Sequence, residues 1–309
     1  MSASNVGAGR LSFQRVALIG FGEAGTILGT DLAAAGCEVA TYDVLFDSAE
    51  RADAMRAKAE RARVRPAATF ADAVRDAQLI ISAVTVSASG DVAASAGQTL
   101  RPGQIFLDIN SVSPAKKQSS ARAVEASGAD YVEAAVMAPV PPQRLKVPML
   151  LGGRRAYDVA PALTQLGMNA RAIATEIGVA SAVKMCRSIV IKGLEALALE
   201  SMQAARHFGA EEQVLASLNH TFPGIGWDRE LADYLISRVA EHGRRRADEM
   251  REVARTLKDA GLSATMALAT AERQDSLIDA MQAHGIRYQQ DEPFSWRALI
   301  DALAEKNAR

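Results

Sequence analysis

The chain has little material for covalent or metallic cross-linking. Its 309 residues contain two cysteines, Cys37 and Cys186, and four histidines, His207, His220, His242 and His284. Two thiols so far apart in sequence make neither a disulfide framework nor a metal knuckle; both are expected to be buried as small hydrophobes in a reducing compartment. The histidines show no ligand spacing, so each reads as a surface residue and no metal is expected. An excess of one charge is also missing: the formal net charge of -1 offers nothing that nucleic acid or an anionic membrane would attract. No apolar run approaches the ~18 residues of a membrane helix. Residues 1–14 are small and polar with no hydrophobic segment, which predicts a disordered tail, not a signal peptide, and a cytoplasmic protein. Four catalytic signatures are absent: the G-K-[ST] phosphate loop, the G-x-S-x-G elbow, the H-E-x-x-H helix and the Y-x-x-x-K pair.

What remains is ordinary globular composition, 49% hydrophobic and 23% charged, in a chain long enough for two cores. From residue 15 to about 174, short β-like runs alternate with Ala-rich helical ones. The strand candidates are Val16–Ile19, Glu38–Tyr42, Leu79–Val84, Gln104–Asp108, Tyr131–Val136, Val147–Leu151 and Ala170–Ala174. The charged stretch Glu50–Arg63 reads as a solvated helix face. Such alternation predicts an α/β domain of Rossmann type with a mainly parallel sheet, covering residues 15–177. After Gly178 the pattern becomes helical throughout. A run over residues 179–206 without proline predicts one helix about 42 Å long, expected to bridge two domains. Further helices are expected over Glu211–Leu218, Trp227–Leu257, Ala264–His284 and Trp296–Lys306, giving an all-α domain over residues 178–309.

The first strand leads into Gly20-Phe21-Gly22-Glu23-Ala24-Gly25, a helical stretch follows, and a second strand closes on Asp43. A bare G-x-G-x-x-G is weak evidence, but here the strand, the helix and the acid about 20 residues on are all in place. Gly20 permits the tight turn, Gly22 lets backbone approach a pyrophosphate, and Gly25 lets helix and strand pack closely. The helix start, including Glu23 and Ala24, offers N–H groups to phosphate oxygens. Asp43 accepts hydrogen bonds from ribose hydroxyls and repels a 2′-phosphate, which favours NAD over NADP, although Arg51 and Arg56 lie near in sequence.

Ligands of an open parallel sheet bind beyond the carboxyl ends of its strands. Three loops stand there: Ala83-Val84-Thr85, Asp108 to Pro114, and Glu133 to Pro139. Ser113 before Pro114 also reads as a helix cap. On the long helix, Lys184, Ser188 and Lys192 fall at i, i+4 and i+8 and share one largely apolar face, where a charged group needs a reason.

This combination resembles the β-hydroxyacid dehydrogenases, which include 3-hydroxyisobutyrate and 6-phosphogluconate dehydrogenases. The resemblance runs from about Val16 to about Gly209 and is faint beyond. The Gly20 loop looks like the family's G-x-G-x-M-G. Asp108 to Pro114 looks like D-x-S-T-x-S-P, with Ser111 at the Thr position near the nicotinamide and the substrate. Val132 to Pro139 stands in place of the D-A-P-V-S-G-G substrate loop. Lys184 takes the place of the catalytic lysine in G-x-x-x-x-x-K-x-x-N-N, and Glu200 and Gly209 match the later Glu and Gly without a gap.

The chain departs from the family in three places. Arg187 and Ser188 replace the two asparagines, Met137-Ala138-Pro139 replaces Ser-Gly-Gly, and Glu249-Met250 stands at a Lys-Asp pair, with Arg245 and Arg246 one turn earlier. An uncharacterised branch of the family is implied, with a divergent C-terminal domain.

The resemblance implies hydride transfer between the nicotinamide and a hydroxy or carbonyl small molecule, carboxylated or aromatic, with Lys184 as general acid/base and Ser188 orienting it. Arg187, Lys192 or Arg246 would hold a carboxylate, and Val136-Met137-Ala138 suggests a less polar substrate than a small sugar acid. His220 to Gly224 and Trp227 are further candidates for lining the cleft. Two other readings are an imine reductase-like NADPH enzyme, disfavoured by Lys184 and Asp43, and a non-catalytic NAD-binding sensor. An apolar stripe on the long helix (Ile189, Val190, Leu194, Leu197, Leu199) predicts a homodimer.

Overall fold

A computed structural model describes residues 11–226, 229–290 and 292–307. Within them the chain divides into two compact units, one ending at Lys184 and one beginning at Met185.

In the first unit strands and helices alternate: β1 (Arg15–Ile19), α1 (Glu23–Ala34), β2 (Glu38–Tyr42), α2 (Ala52–Arg61), β3 (Arg65–Pro66), α3 (Phe70–Val74), β4 (Leu79–Ser82), α4 (Ser89–Thr99), β5 (Ile105–Asp108), α5 (Pro114–Glu125), β6 (Asp130–Val136), α6 (Val140–Gln143), β7 (Met149–Gly152), α7 (Ala156–Gln165) and β8 (Ala170–Ala174). The sheet runs β3-β2-β1-β4-β5-β6-β7-β8. All neighbours are parallel except β6 and β7, which pair antiparallel. Its central strands are apolar up to their last residues, Ser82 and Asp108, as a sheet covered on both faces requires: every residue of β4 and β5 is buried. Two apolar layers flank it, one built on Leu18, Phe21, Leu28, Ile81 and Leu107, the other on Ile19, Ile80, Phe106 and Tyr131.

The second unit is helical. The 29-residue α8 (Val179–His207) enters it and is followed by α9 (Glu211–Thr221), α10 (Leu231–Asp259), α11 (Thr265–Ala283) and α12 (Trp296–Asn307). Leu199, Met202, Ile236, Val239, Leu277 and the buried Trp296 form its largest apolar cluster.

The predicted elements recur with small shifts, and the differences have physical reasons. The two-residue β3 pairs with β2 at the sheet edge, where so short a strand carries no readable period. The charged stretch Glu50–Arg63 resolves into α2, after a tight turn over Val44–Asp47 that Asp43 caps by accepting from Leu45 N. Cys37 is buried as expected, but Cys186 is exposed on α8. The stripe on α8 also divides: Val190, Leu194 and Leu197 face outward, while Leu199 is fully buried. The helix expected from Trp227 begins at Leu231, and Trp227 lies outside the described residues, as do residues 1–10 of the expected tail.

Candidate active site

The strand order reverses at β1, which pairs with β2 on one side and β4 on the other. That reversal opens a crevice beyond the strand ends, and there the glycine turn meets the loop after β4. Gly20 adopts φ 91°, a left-handed backbone, and a Cβ there would collide with the carbonyl oxygen of Ala83. A Cβ on Gly25 would collide with the Gly20 carbonyl, whereas one on Gly22 would meet nothing within 4 Å. Two glycines therefore serve packing and the middle one faces open space. Helix α1 starts at Glu23 with no side-chain cap on its N-terminus, so the N–H groups around Glu23 and Ala24 suit an anion. The residues present fit a dinucleotide.

Asp43, half-buried at the end of β2, is brought onto this turn. Its Oδ2 accepts from Phe21 N at 2.7 Å and its Oδ1 from Leu45 N at 2.9 Å. From α2, Lys58 Nζ donates to Phe21 O at 2.7 Å and stands 5.4 Å from the Phe21 ring centroid. Burial pulls the Lys58 pKa below its ordinary value, with Asp43 opposing that shift. Nothing in the sequence singled out Lys58, because its neighbours in the chain look like a solvated face.

The next loops are held just as firmly. Ala83 N donates to Ile19 O at 2.8 Å. Asn110 accepts from Val84 N at 2.7 Å and donates to Ser82 Oγ at 2.9 Å. Thr85 is exposed, with its hydroxyl 3.0 Å from Ser87. Ser111, half-buried, follows Asn110, and Ser113 caps α5 as predicted. Beneath them lies a buried ionic group. Lys117 Nζ reaches Asp108 Oδ1 at 2.9 Å and Asp108 O at 2.7 Å, and the Tyr131 hydroxyl donates to Asp108 Oδ2 at 2.6 Å. Burial, then the Asp108 charge, pushes the Tyr131 phenol well up.

Val136 at the end of β6 and Met137 and Ala138 beyond it are half-buried, with Met137 N donating to Pro148 O at 2.8 Å. Glu133, fully buried on β6, uses its carboxylate as the cap of α8: Gly178 N donates to it at 2.6 Å, Ala180 N at 3.1 Å and Ser181 N at 3.3 Å. A carboxylate at a helix N-terminus gains from both the unpaired N–H groups and the dipole. Lys184, half-buried, lies one turn into that helix.

Further along α8, in the second unit, Ser188 and Lys192 are buried. Lys192 Nζ is 3.0 Å from Glu249 Oε2 and 3.4 Å from Ser188 Oγ. Arg246 grips Glu195 with two nitrogens, its Nε at 2.8 Å, so both cations already face a carboxylate. Arg187 is exposed. His220 and Phe222 are exposed in the turn after α9. Among the described residues no group of His, Cys, Asp and Glu is arranged to hold a metal, and no helix is long and apolar enough to cross a membrane.

Residues 15–178, more than half of the chain, match the NAD binding domain of 6-phosphogluconate dehydrogenase. The chain belongs to that family. Residues 205–277 match a domain of unknown function, DUF1932, in agreement with the divergence expected of the C-terminal part. A conserved hypothetical protein from Sinorhizobium meliloti is similar along 96% of this chain and 98% of its own, at 38% identity and a TM-score of 0.76. The conserved protein MTH1747, described as structurally similar to 3-hydroxyacid dehydrogenases, is 32% identical over 87% of this chain and 98% of its own, with a TM-score of 0.70. The 3-hydroxyisobutyrate dehydrogenase of Mycobacterium tuberculosis shares the fold at 16% identity, 94% and 99% coverage and a TM-score of 0.73. An imine reductase from Streptomyces aurantiacus also shares it, at 21% identity, 93% and 99% coverage and a TM-score of 0.53. The chain thus carries a hydroxyacid dehydrogenase-like, NAD-binding fold of an oxidoreductase family.

Proposed function

We propose that the protein is an NAD-dependent oxidoreductase of the β-hydroxyacid dehydrogenase type, acting on a small hydroxy or carbonyl compound. One observation carries the reading: a three-glycine turn at the strand-order reversal, open at Gly22 and pinned by the acid at the end of β2. Its cofactor-binding residues are Gly20, Phe21, Gly22, Glu23, Ala24, Asp43, Ala83, Val84, Thr85 and Ser111. Asp43 supports NAD over NADP.

The nicotinamide, when bound, takes or gives a hydride at C4. As the hydride leaves the substrate carbon, the hydroxyl proton must leave as well, and the Lys184 amine receives it; in reduction the Lys184 ammonium returns it to the carbonyl oxygen. Ser188 accepts from Lys192, which leaves its own proton to donate to the substrate. Ser111 and the Val136-Met137-Ala138 loop bound the substrate. Lys192 and Arg246 are engaged by Glu249 and Glu195, so the exposed Arg187 is assigned the substrate carboxylate. A homodimer is part of the reading, supported by the outward Val190, Leu194 and Leu197. A cytoplasmic location is also part of it, supported by two free cysteines.

The test is absorbance at 340 nm with NAD or NADP and a panel of hydroxyacids, comparing the natural chain with Lys184→Ala. We expect turnover with at least one substrate and a loss of about 10²–10⁴-fold in kcat on substitution, with coenzyme binding intact. Full activity in the variant overturns the role of Lys184; binding without turnover by the natural chain would favour a sensor.

A further inference from the structure

We infer that Lys58 decides how far this site tolerates a phosphate at the 2′ position of the adenosine ribose. This inference rests on the dinucleotide reading above. Asp43 alone should exclude such a phosphate, because a carboxylate beside it repels the added charge. The carboxylate is not alone, however. It accepts from the N–H of Phe21, and Lys58 donates to the carbonyl of the same residue, both at 2.7 Å. One peptide unit of the glycine turn is thus held between an anion and a cation. The Asp43 charge acts on the Lys58 ammonium, although the two form no direct pair.

The position of Lys58 is fixed, which a surface lysine would not be. Its ammonium lies over the Phe21 ring, 5.4 Å from the centroid, and reaches Gly22 O at 3.4 Å. Of its three N–H donors, the Phe21 carbonyl takes one at short range and the Gly22 carbonyl another at long range, leaving capacity for a further acceptor. The arginines that the sequence offers for this purpose are placed less well. Arg51 and Arg56 are exposed, and Arg56 faces Asp53 at 3.6 Å. A half-buried cation next to the ribose-binding acid offsets the repulsion, so NADP is admitted alongside NAD and not excluded.

Isothermal titration calorimetry of the full chain with ADP-ribose and 2′-phospho-ADP-ribose tests this without turnover. Lys58→Met keeps an unbranched aliphatic side chain and removes the charge. We expect the natural chain to bind both ligands. Lys58→Met should weaken the 2′-phosphorylated ligand about tenfold or more while changing ADP-ribose affinity less than about threefold, and Lys58→Arg should restore most of the loss. Equal weakening of both ligands would reduce Lys58 to a prop for the turn, and no change in either would remove it altogether; both overturn the inference. If the natural chain binds only ADP-ribose, the inference fails and the dinucleotide reading stands. If it binds neither, the dinucleotide reading itself fails.

Discussion

The two units use buried charge differently. In the first, buried ionic side chains hold backbone as well as one another: Glu133 accepts from three main-chain N–H groups, Asp108 accepts from Asn110 N, and Lys117 donates to the Asp108 carbonyl while pairing with the Asp108 carboxylate. In the second, they hold one another: Lys192 faces Glu249 across α8 and α10, and Arg246 faces Glu195, which Gln274 of α11 also approaches at 3.4 Å. A charge fixed on backbone sets the path of a loop, while a charge fixed on another side chain sets the register of two helices. The segments so fixed are the loop after β5 and the turn from β8 into α8, beside the candidate residues Ser111 and Lys184.

The comparison breaks most visibly at Glu133. Its replacement by alanine removes the acceptor of three N–H donors at the buried start of α8. We expect Glu133→Ala to destabilise the protein by about 3–5 kcal/mol, measured by denaturant unfolding followed by far-UV circular dichroism. Glu133→Gln, which keeps one acceptor oxygen, should recover part of that. An alanine variant within 1 kcal/mol of the natural chain, a bound set by the net value of one hydrogen bond, would remove the cap from the account.

The second unit should behave otherwise. Truncating Glu195 alone leaves the half-buried Arg246 without its carboxylate and is expected to cost about as much as the loss of Glu133. Replacing the whole group by apolar residues of similar size, Glu195→Leu with Arg246→Met and Gln274→Leu, should return stability to within about 1 kcal/mol of the natural chain. The Gln274 Oε1 atom, buried without a partner among the described residues, is removed in the same step. No such apolar exchange exists for Glu133, because its partners are main chain. A triple variant as unstable as the single one would contradict the contrast between the units.

The same contrast explains what could be read in advance. Strands β2 and β8 appear with the predicted limits and α8 within one residue, since their periodicity is local. Gly20, Gly25 and Asp43 were legible because a fixed spacing ties each to a fixed task. Lys58 was not: its partner Phe21 lies 37 residues away, and only the packing of α2 on the sheet joins them. Lys117 was hidden for the same reason, and Glu133 was named only as the start of a loop, whereas it lies within β6 and caps α8; neither a buried charge nor its partner marks a local pattern. Lys192 and Arg246 were legible as cations on a helix, and pairing of Lys192 with Glu195 or Glu200 was one reading of it, but its actual partner Glu249 and the Arg246–Glu195 pair were not legible, because both join two helices. Cys186 was misjudged as buried because residue type predicts average burial, not which face of α8 it occupies.

The smallest effect is pH dependence. In the second unit, hydrogen bonding by Arg206 lowers the carboxyl of Asp301, and the arginines Arg251 and Arg244 lower that of Asp275 against the opposing effect of its burial. Burial, then Arg245 and Arg238, lowers His242. Each group is harder to protonate when folded, so the unfolded chain binds more protons and stability falls as pH falls. The loss begins below about 6.5 for His242 and below about 4 for the carboxylates. In the first unit the hydrogen bond from Arg65 lowers the carboxyl of Asp72 in the same sense, while Tyr131 has the opposite sign. Its phenol is raised, so its contribution is complete below about pH 10 and declines above that value. Both tryptophans, Trp227 and Trp296, follow residue 185, so indole fluorescence reports the helical unit alone. On acidification we expect the fluorescence of Trp296, now 1% exposed, to shift before the circular dichroism of the whole chain is half lost. Raised pH should instead bring tyrosinate absorbance from Tyr131 only as the sheet unit opens. Coincident acid transitions by both probes would mean that the two units lose their ion pairs together.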